Sequence, residues 1–322
     1  MNILRLLNRS LATTIFLNVA LVLLWLLSAF WLETEKNDVE IIILESIYLF
    51  SLPYFWSVIA QLIYFMLLAF FVYKAIFLQY LNTTSYLPFS VLMLFGTFLL
   101  NSHLFGNQTF ATMFWVLALW QSIKIIPGRD NQLVVLNTFL LLMLSTFFVP
   151  EFIYFTPIFI FSFIYFVEFK IKSLLIIIFS ILMPILCIFG ICFLLDKIDL
   201  FQEFFVKRFN FNFEINTAIF EPKVLIVEII SVIFALVSLF LYSQNIRNYK
   251  FQTRRVTFFF VILWLSTIFF MFLKNNFLYF ILIYIIVTTF FIALSFTNLQ
   301  PKKTKKIKRK QVIKMRKFKR KR

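Results

Sequence analysis

Runs of about 20 apolar residues recur along almost the whole chain, and no other feature narrows its fold so far. A helix of that length crosses the hydrocarbon core of a bilayer, where only helices and closed barrels satisfy every backbone polar group. The runs are continuous rather than alternating, which excludes a β-barrel. The expected fold is an all-α, polytopic transmembrane bundle of about ten spans. Their approximate limits are 11–31, 55–79, 87–101, 108–124, 132–149, 152–168, 173–194, 224–243, 256–273 and 277–296. The third to sixth are short enough to be broken or re-entrant, and 41–55 is too short to span before Pro53 and lies along the outer surface. The first run follows Arg5 and Arg9 but is too long for a signal peptide and lacks a small-residue cleavage site, so it reads as an uncleaved span.

Charge orients the bundle. The net charge of +17 is concentrated in residues 301–322, where 14 of 22 side chains are Lys or Arg and none is acidic. The remaining 300 residues carry 17 basic and 14 acidic groups, a net of +3, so the body is not a nucleic-acid-binding surface. With the N-terminus in the cytoplasm, alternation puts Lys124, Arg129, Lys170, Lys172, Arg247, Lys250, Arg254, Arg255 and the tail inside. It puts Glu33, Glu35, Asp38, Glu40, Glu151 and the 196–223 segment outside, with Lys274 the main exception to the positive-inside rule. Both termini are therefore expected in the cytoplasm. The chain divides into a transmembrane domain, 1–298, and a basic cytoplasmic tail, 299–322.

The 49 Phe residues read as lipid-facing filler drawn from an AT-rich genome rather than as a cofactor channel. Cys187 and Cys192 sit about 140° apart on a helix, so they neither pair nor chelate together. With His103 the single histidine, no zinc site, metal or cofactor is implied. Glycine occurs only at 96, 106, 128 and 190, which rules out a GxxxG pair, and Pro184 is expected to kink the seventh span.

Polar residues inside the spans are few. Glu228, Ser231, Ala235, Ser238 and Tyr242 fall within about 80° of one helix face, a stripe expected to face protein rather than lipid. Asn107, Ala111, Ala118, Gln121 and Ser122 make a second stripe, and Asn137 lies within the fifth span. These residues read either as glue between helices or, for Glu228, as the lining of an outward-facing pocket. The outer loops offer weak catalytic candidates in Glu33, Glu35, Asp38 and Glu40 beside Glu228, with Lys207 and Arg208 as phosphate-binding candidates.

The stretches "FLLNSHLFGNQTFATMFWVLALWQSI", "LNTFLLLMLSTFFVPEFIYFTPIFIFSFIYF" and "IRNYKFQTRRVTFFFVILWL" follow one another in an order that resembles a Bacteroidota family of polytopic integral-membrane proteins, known as a domain of unknown function. The resemblance runs from about residue 78 to 296 and excludes the tail. It implies a multi-pass inner-membrane protein and brings no activity or catalytic residues.

Three classes of function follow. The leading one is a non-enzymatic inner-membrane scaffold or biogenesis factor with membrane lipids and membrane proteins as partners. The alternatives are an outer-face, lipid-carrier-dependent glycosyltransferase or related enzyme, and a transporter. The tail suits polyanions, either anionic lipid or ribosomal RNA, through Lys302, Lys303, Lys305, Lys306, Lys308, Arg309, Lys310, Lys314, Arg316, Lys317, Lys319, Arg320, Lys321 and Arg322. As a helix it would gather only Ile307, Met315 and Phe318 on one side, too little for deep insertion in a membrane surface.

Overall fold

The computed structural model describes residues 39–43, 47–81, 106–125, 131–166, 171–199, 201–202, 222–271 and 277–299, with 19, 20, 22 and 23. Two strands, β1 (Val39–Ile43) and β2 (Ile47–Leu52), precede α1 (Tyr54–Val72), which continues as a π-helical stretch, Tyr73–Leu81. Then come α2 (Asn107–Ile123), α3 (Gln132–Phe148), a 3-10 turn (Pro150–Phe155) and α4 (Thr156–Phe166). They are followed by α5 (Ile171–Leu194), α6 (Pro222–Asn245), α7 (Phe251–Met271) and α8 (Phe277–Leu299).

The helical bundle matches the sequence reading. Among the described residues, three helices, Phe55–Leu81, Ile171–Leu194 and Phe251–Met271, are long and apolar enough to cross a membrane by length and composition, and four more are shorter and apolar. The third expected span, 87–101, lies outside the described residues, as does the first except for helical backbone at 19–20 and 22–23.

The stretch before Pro53, too short to span, forms an antiparallel hairpin pairing Val39 with Leu52 and Ile43 with Ile47, with a bulge between Ile41 and Ile42. Its β-branched runs favour strand, and Pro53 holds Leu52 extended while opening α1.

The core is built around α8. Fifteen consecutive residues, Phe280–Leu294, are each at most 7% exposed. This helix, apolar on every side, is enclosed by α6, α7 and the π stretch. Phe290 stacks on Phe260 of α7 at 3.8 Å and lies 6.1 Å from Phe77. At the other end, Phe280 meets Phe152, Phe155 and Phe270 at 5.8, 5.4 and 5.6 Å. These pairs make α8 antiparallel to α7.

α5 is the opposite case. Only Ile177, Ser180, Pro184 and Cys192 are buried along its 24 residues, at helical spacing against α3. The rest is an apolar surface of bilayer length. The helix runs through Pro184 unbroken and stops where Asp196 takes a positive φ of 52° and the Lys197 N–H reaches back to the Cys192 carbonyl at 2.9 Å.

The α6 stripe faces protein as expected: Ser231, Ala235, Ser238 and Tyr242 are buried, and Ser231 hydrogen-bonds Tyr284 of α8. In α2, Ala111, Ala118 and Ser122 are buried, within a wider buried face centred on Trp115. Asn137 departs from expectation. It is exposed on α3, because the turns that pack place Thr138, Phe139 and Leu142 inward instead.

Candidate functional site

Three hydrogen bonds draw four chain segments together at one end of the bundle. Thr253, in the first turn of α7, donates to the Tyr80 carbonyl at 3.0 Å. Tyr80 donates its phenol to the Ile123 carbonyl at the close of α2, also at 3.0 Å. Arg255 Nη2 donates to the Tyr165 carbonyl near the close of α4 at 3.0 Å. Each bond satisfies a group that the local helix leaves without a partner or adds a second donor to it.

The same end collects basic side chains. Lys124 lies over the Trp120 ring, 2.9 Å from its centroid, and donates to Gln121 Oε1 at 3.4 Å. Arg254 and Arg255 stand 5.8 and 5.1 Å from the Phe251 ring centroid. Lys172 at the start of α5 and Arg247, Lys250 and Arg254 around the α6–α7 link are exposed. Since α8 runs antiparallel to α7, its C-terminal end also arrives here, so residues 301–322 continue the chain from the basic end. Aromatic rings among the cations, including the Tyr242–Tyr249 pair at 5.0 Å, are the pattern of a membrane–water boundary.

Electrostatically this end is positive. Arg255 is already committed to Tyr165, whereas Arg247, Lys250 and Arg254 present their charge to solvent.

The opposite end has a different character. Glu151 stands in the 3-10 turn between α3 and α4, with its Oε2 buried. Burial pushes its carboxyl above the usual carboxylate range, outweighing the opposite pull of its own backbone N–H. A folded state that holds this proton more tightly than the unfolded chain has that stability in full below the unfolded value, about 4.3, and loses it as pH rises through the folded value. Melting of the detergent-solubilised protein from pH 4 to 8 should therefore show Glu151→Gln gaining on the parent as pH rises. A gap between the two that does not change with pH would remove burial of this carboxyl as the cause.

Most sequence-level site residues fall elsewhere. Glu33, Glu35, Asp38, Lys207, Arg208 and the 14 tail cations lie outside the described residues. Glu40 is placed in β1 and Glu228 in α6 by backbone alone, their side chains lying outside the described set. Among the described residues, no three His, Cys, Asp or Glu side chains gather as a metal site.

The sequence reading missed the polar locks. Thr109 donates to Gln61 Oε1 of α1 at 2.7 Å and accepts from the Gly106 N–H at 3.2 Å. Gln61 is 2% exposed, and an amide in the apolar first half of the span was the signal that could have found it. Comparison with protein families, curated proteins and solved structures finds no match for the chain.

Proposed function

We propose that the protein is a ten-span protein of the bacterial inner membrane, both termini cytoplasmic, acting as a non-enzymatic scaffold or biogenesis factor that captures polyanions at its cytoplasmic face. The observation that carries this reading is the gathering of Lys124, Lys172, Arg247, Lys250, Arg254 and Arg255 at the end from which α8 leads to the tail. Cations on one side of a bundle mark its cytoplasmic side. Fourteen more exceed what topology requires, and a bundle of apolar helices needs no electrostatic anchor, so the excess serves binding.

The test compares the full chain with a variant ending at Gln300, both in nanodiscs of neutral lipid, against ribosomes and against anionic vesicles. Binding to either target by the full chain and its loss from the variant are expected. Equal binding by both proteins to both targets sinks the proposal.

Topology has its own test. In a background with Cys187 and Cys192 replaced, cysteine at Asp38 or Asn216 should react with an impermeant thiol reagent in outer-permeabilised cells, and cysteine at Asn245 should not. Labelling at Asn245 under those conditions inverts or breaks the ten-span arrangement.

A further inference from the structure

A lateral groove of about 860 Å³ lies between α4 and α7, toward the end away from the basic residues. It lies along the length of α4 and beside Leu265–Phe270 of α7, with Ser266 as the small residue that leaves the space open. Phe161 and Ile164 on one wall and Leu265 and Phe269 on the other are 50, 46, 56 and 57% exposed, so the groove opens sideways. α7 is a helix of spanning length, so what lies beside its outer half is lipid rather than water.

Two observations define an occupant. The first is length. The 11 residues of α4 rise about 16 Å, close to half of a hydrocarbon core about 30 Å thick, which is the depth one acyl chain occupies. The volume falls in the range of about 300–1,000 Å³ typical of pockets that hold one small molecule. The second is an orphan hydroxyl. Thr156 lines the groove near its outer end, and its Oγ1 is buried with no hydrogen-bond partner among the described residues. Its neighbours Ser162 and Thr267 behave differently, donating back to the Phe159 and Leu263 carbonyls at 2.8 and 2.6 Å. Thr156 opens α4 directly after a 3-10 turn, and the Ile153 carbonyl one turn behind it takes the Thr156 backbone N–H. Rotation about χ1 would exchange its methyl and hydroxyl and present the donor to the groove.

We infer that the groove holds one acyl chain of a glycerophospholipid, with the Thr156 hydroxyl donating to its ester carbonyl. Among the described residues no Lys or Arg lines the groove, so its walls select the chain and its ester linkage rather than headgroup charge. This sets it apart from the basic end, where anionic headgroups would be favoured.

The test is native mass spectrometry of the full chain released from nanodiscs containing equal amounts of palmitoyl-oleoyl phosphatidylethanolamine and phosphatidylglycerol. One retained lipid per protein is expected to be lost in the groove variants, phosphatidylethanolamine and phosphatidylglycerol equally, while anionic lipid held by the basic end is common to parent and variants and cancels in the comparison. Ser266→Phe, which fills the groove, should cut retention about tenfold. Thr156→Val, which keeps shape and removes the donor, should cut it severalfold while leaving the melting temperature at or above the parent's. Absence of retained lipid on the parent, retention unchanged in both variants, or retention restricted to phosphatidylglycerol overturns the inference.

Discussion

Raising salt from 50 to 200 mM is expected to weaken ribosome binding by the full chain about 10³- to 10⁵-fold. That is the loss when about six to ten phosphates are neutralised and their counterions released, and the tail's 14 cations supply that many with some to spare. A logarithmic plot of affinity against salt should be linear, with a slope of about −0.7 to −0.9 per phosphate engaged. The basic end of the bundle gives a second, smaller expectation. Replacing Arg247, Lys250 and Arg254 together by Gln removes three exposed charges and leaves the Arg255–Tyr165 contact intact. The slope should become shallower by up to about 2–3 units, without change of sequence preference. Against anionic vesicles, each basic residue near the surface contributes about 1 kcal/mol, with sums well short of additive. A slope near zero for the full chain would mean that its binding does not run through phosphate.

Phe290→Ala is expected to destabilise the bundle by about 2–4 kcal/mol, whereas Phe240→Ala should cost about 0.5 kcal/mol or less. Both lose the same atoms. Phe240 is 63% exposed on α6, so its ring is in lipid before and after unfolding within the membrane. Phe290 is fully buried on α8, stacked at 3.8 Å on Phe260 and close to Phe77. Lipid tails are as apolar as a protein core, so the usual gain from leaving water is missing, and packing decides the outcome. A hole of roughly 100 Å³ costs about 2 kcal/mol at about 24 cal/mol per Å³. The lost aromatic stacking adds about 0.5–1.5 kcal/mol. Detergent-titrated unfolding of the two variants measures the contrast. Similar losses for both would mean that α8 is not the packing axis.

That axis was only partly legible in the amino-acid pattern. Span limits are set by hydropathy, so Ile171–Leu194 and Phe277–Leu299 emerge within a few residues of where the helices stand. Hydropathy cannot separate them further, because both are apolar on all sides, yet one is peripheral and the other central. In water a buried helix face betrays itself by contrast with a polar one, and a bilayer erases that contrast. What survives is the small or polar residue. The stripe through Ser231, Ala235 and Ser238 was readable for that reason, and it leads to Tyr284 on α8. Asn137 shows the limit, since a single amide without a periodic companion does not mark a packed face. The hairpin at 39–52 was hidden because hydropathy counts apolar residues without asking whether their branching favours strand. The basic end was legible as charge alternation, but not the Thr253–Tyr80–Ile123 chain of bonds that gathers it, since those partners are 43 and 173 positions apart.

The order of synthesis turns the enclosed position of α8 into a constraint on assembly. α1 to α7 leave the ribosome before it, and the faces of α6 and α7 that pack on α8 have no permanent neighbour until Phe280–Leu294 arrives. The α2–α3 and α3–α5 pairs can therefore form first, while α6 and α7 close in a late step around the newcomer. Chains halted before Phe277 would persist as loosely associated helices with open seams, the kind of substrate that membrane quality-control proteases remove.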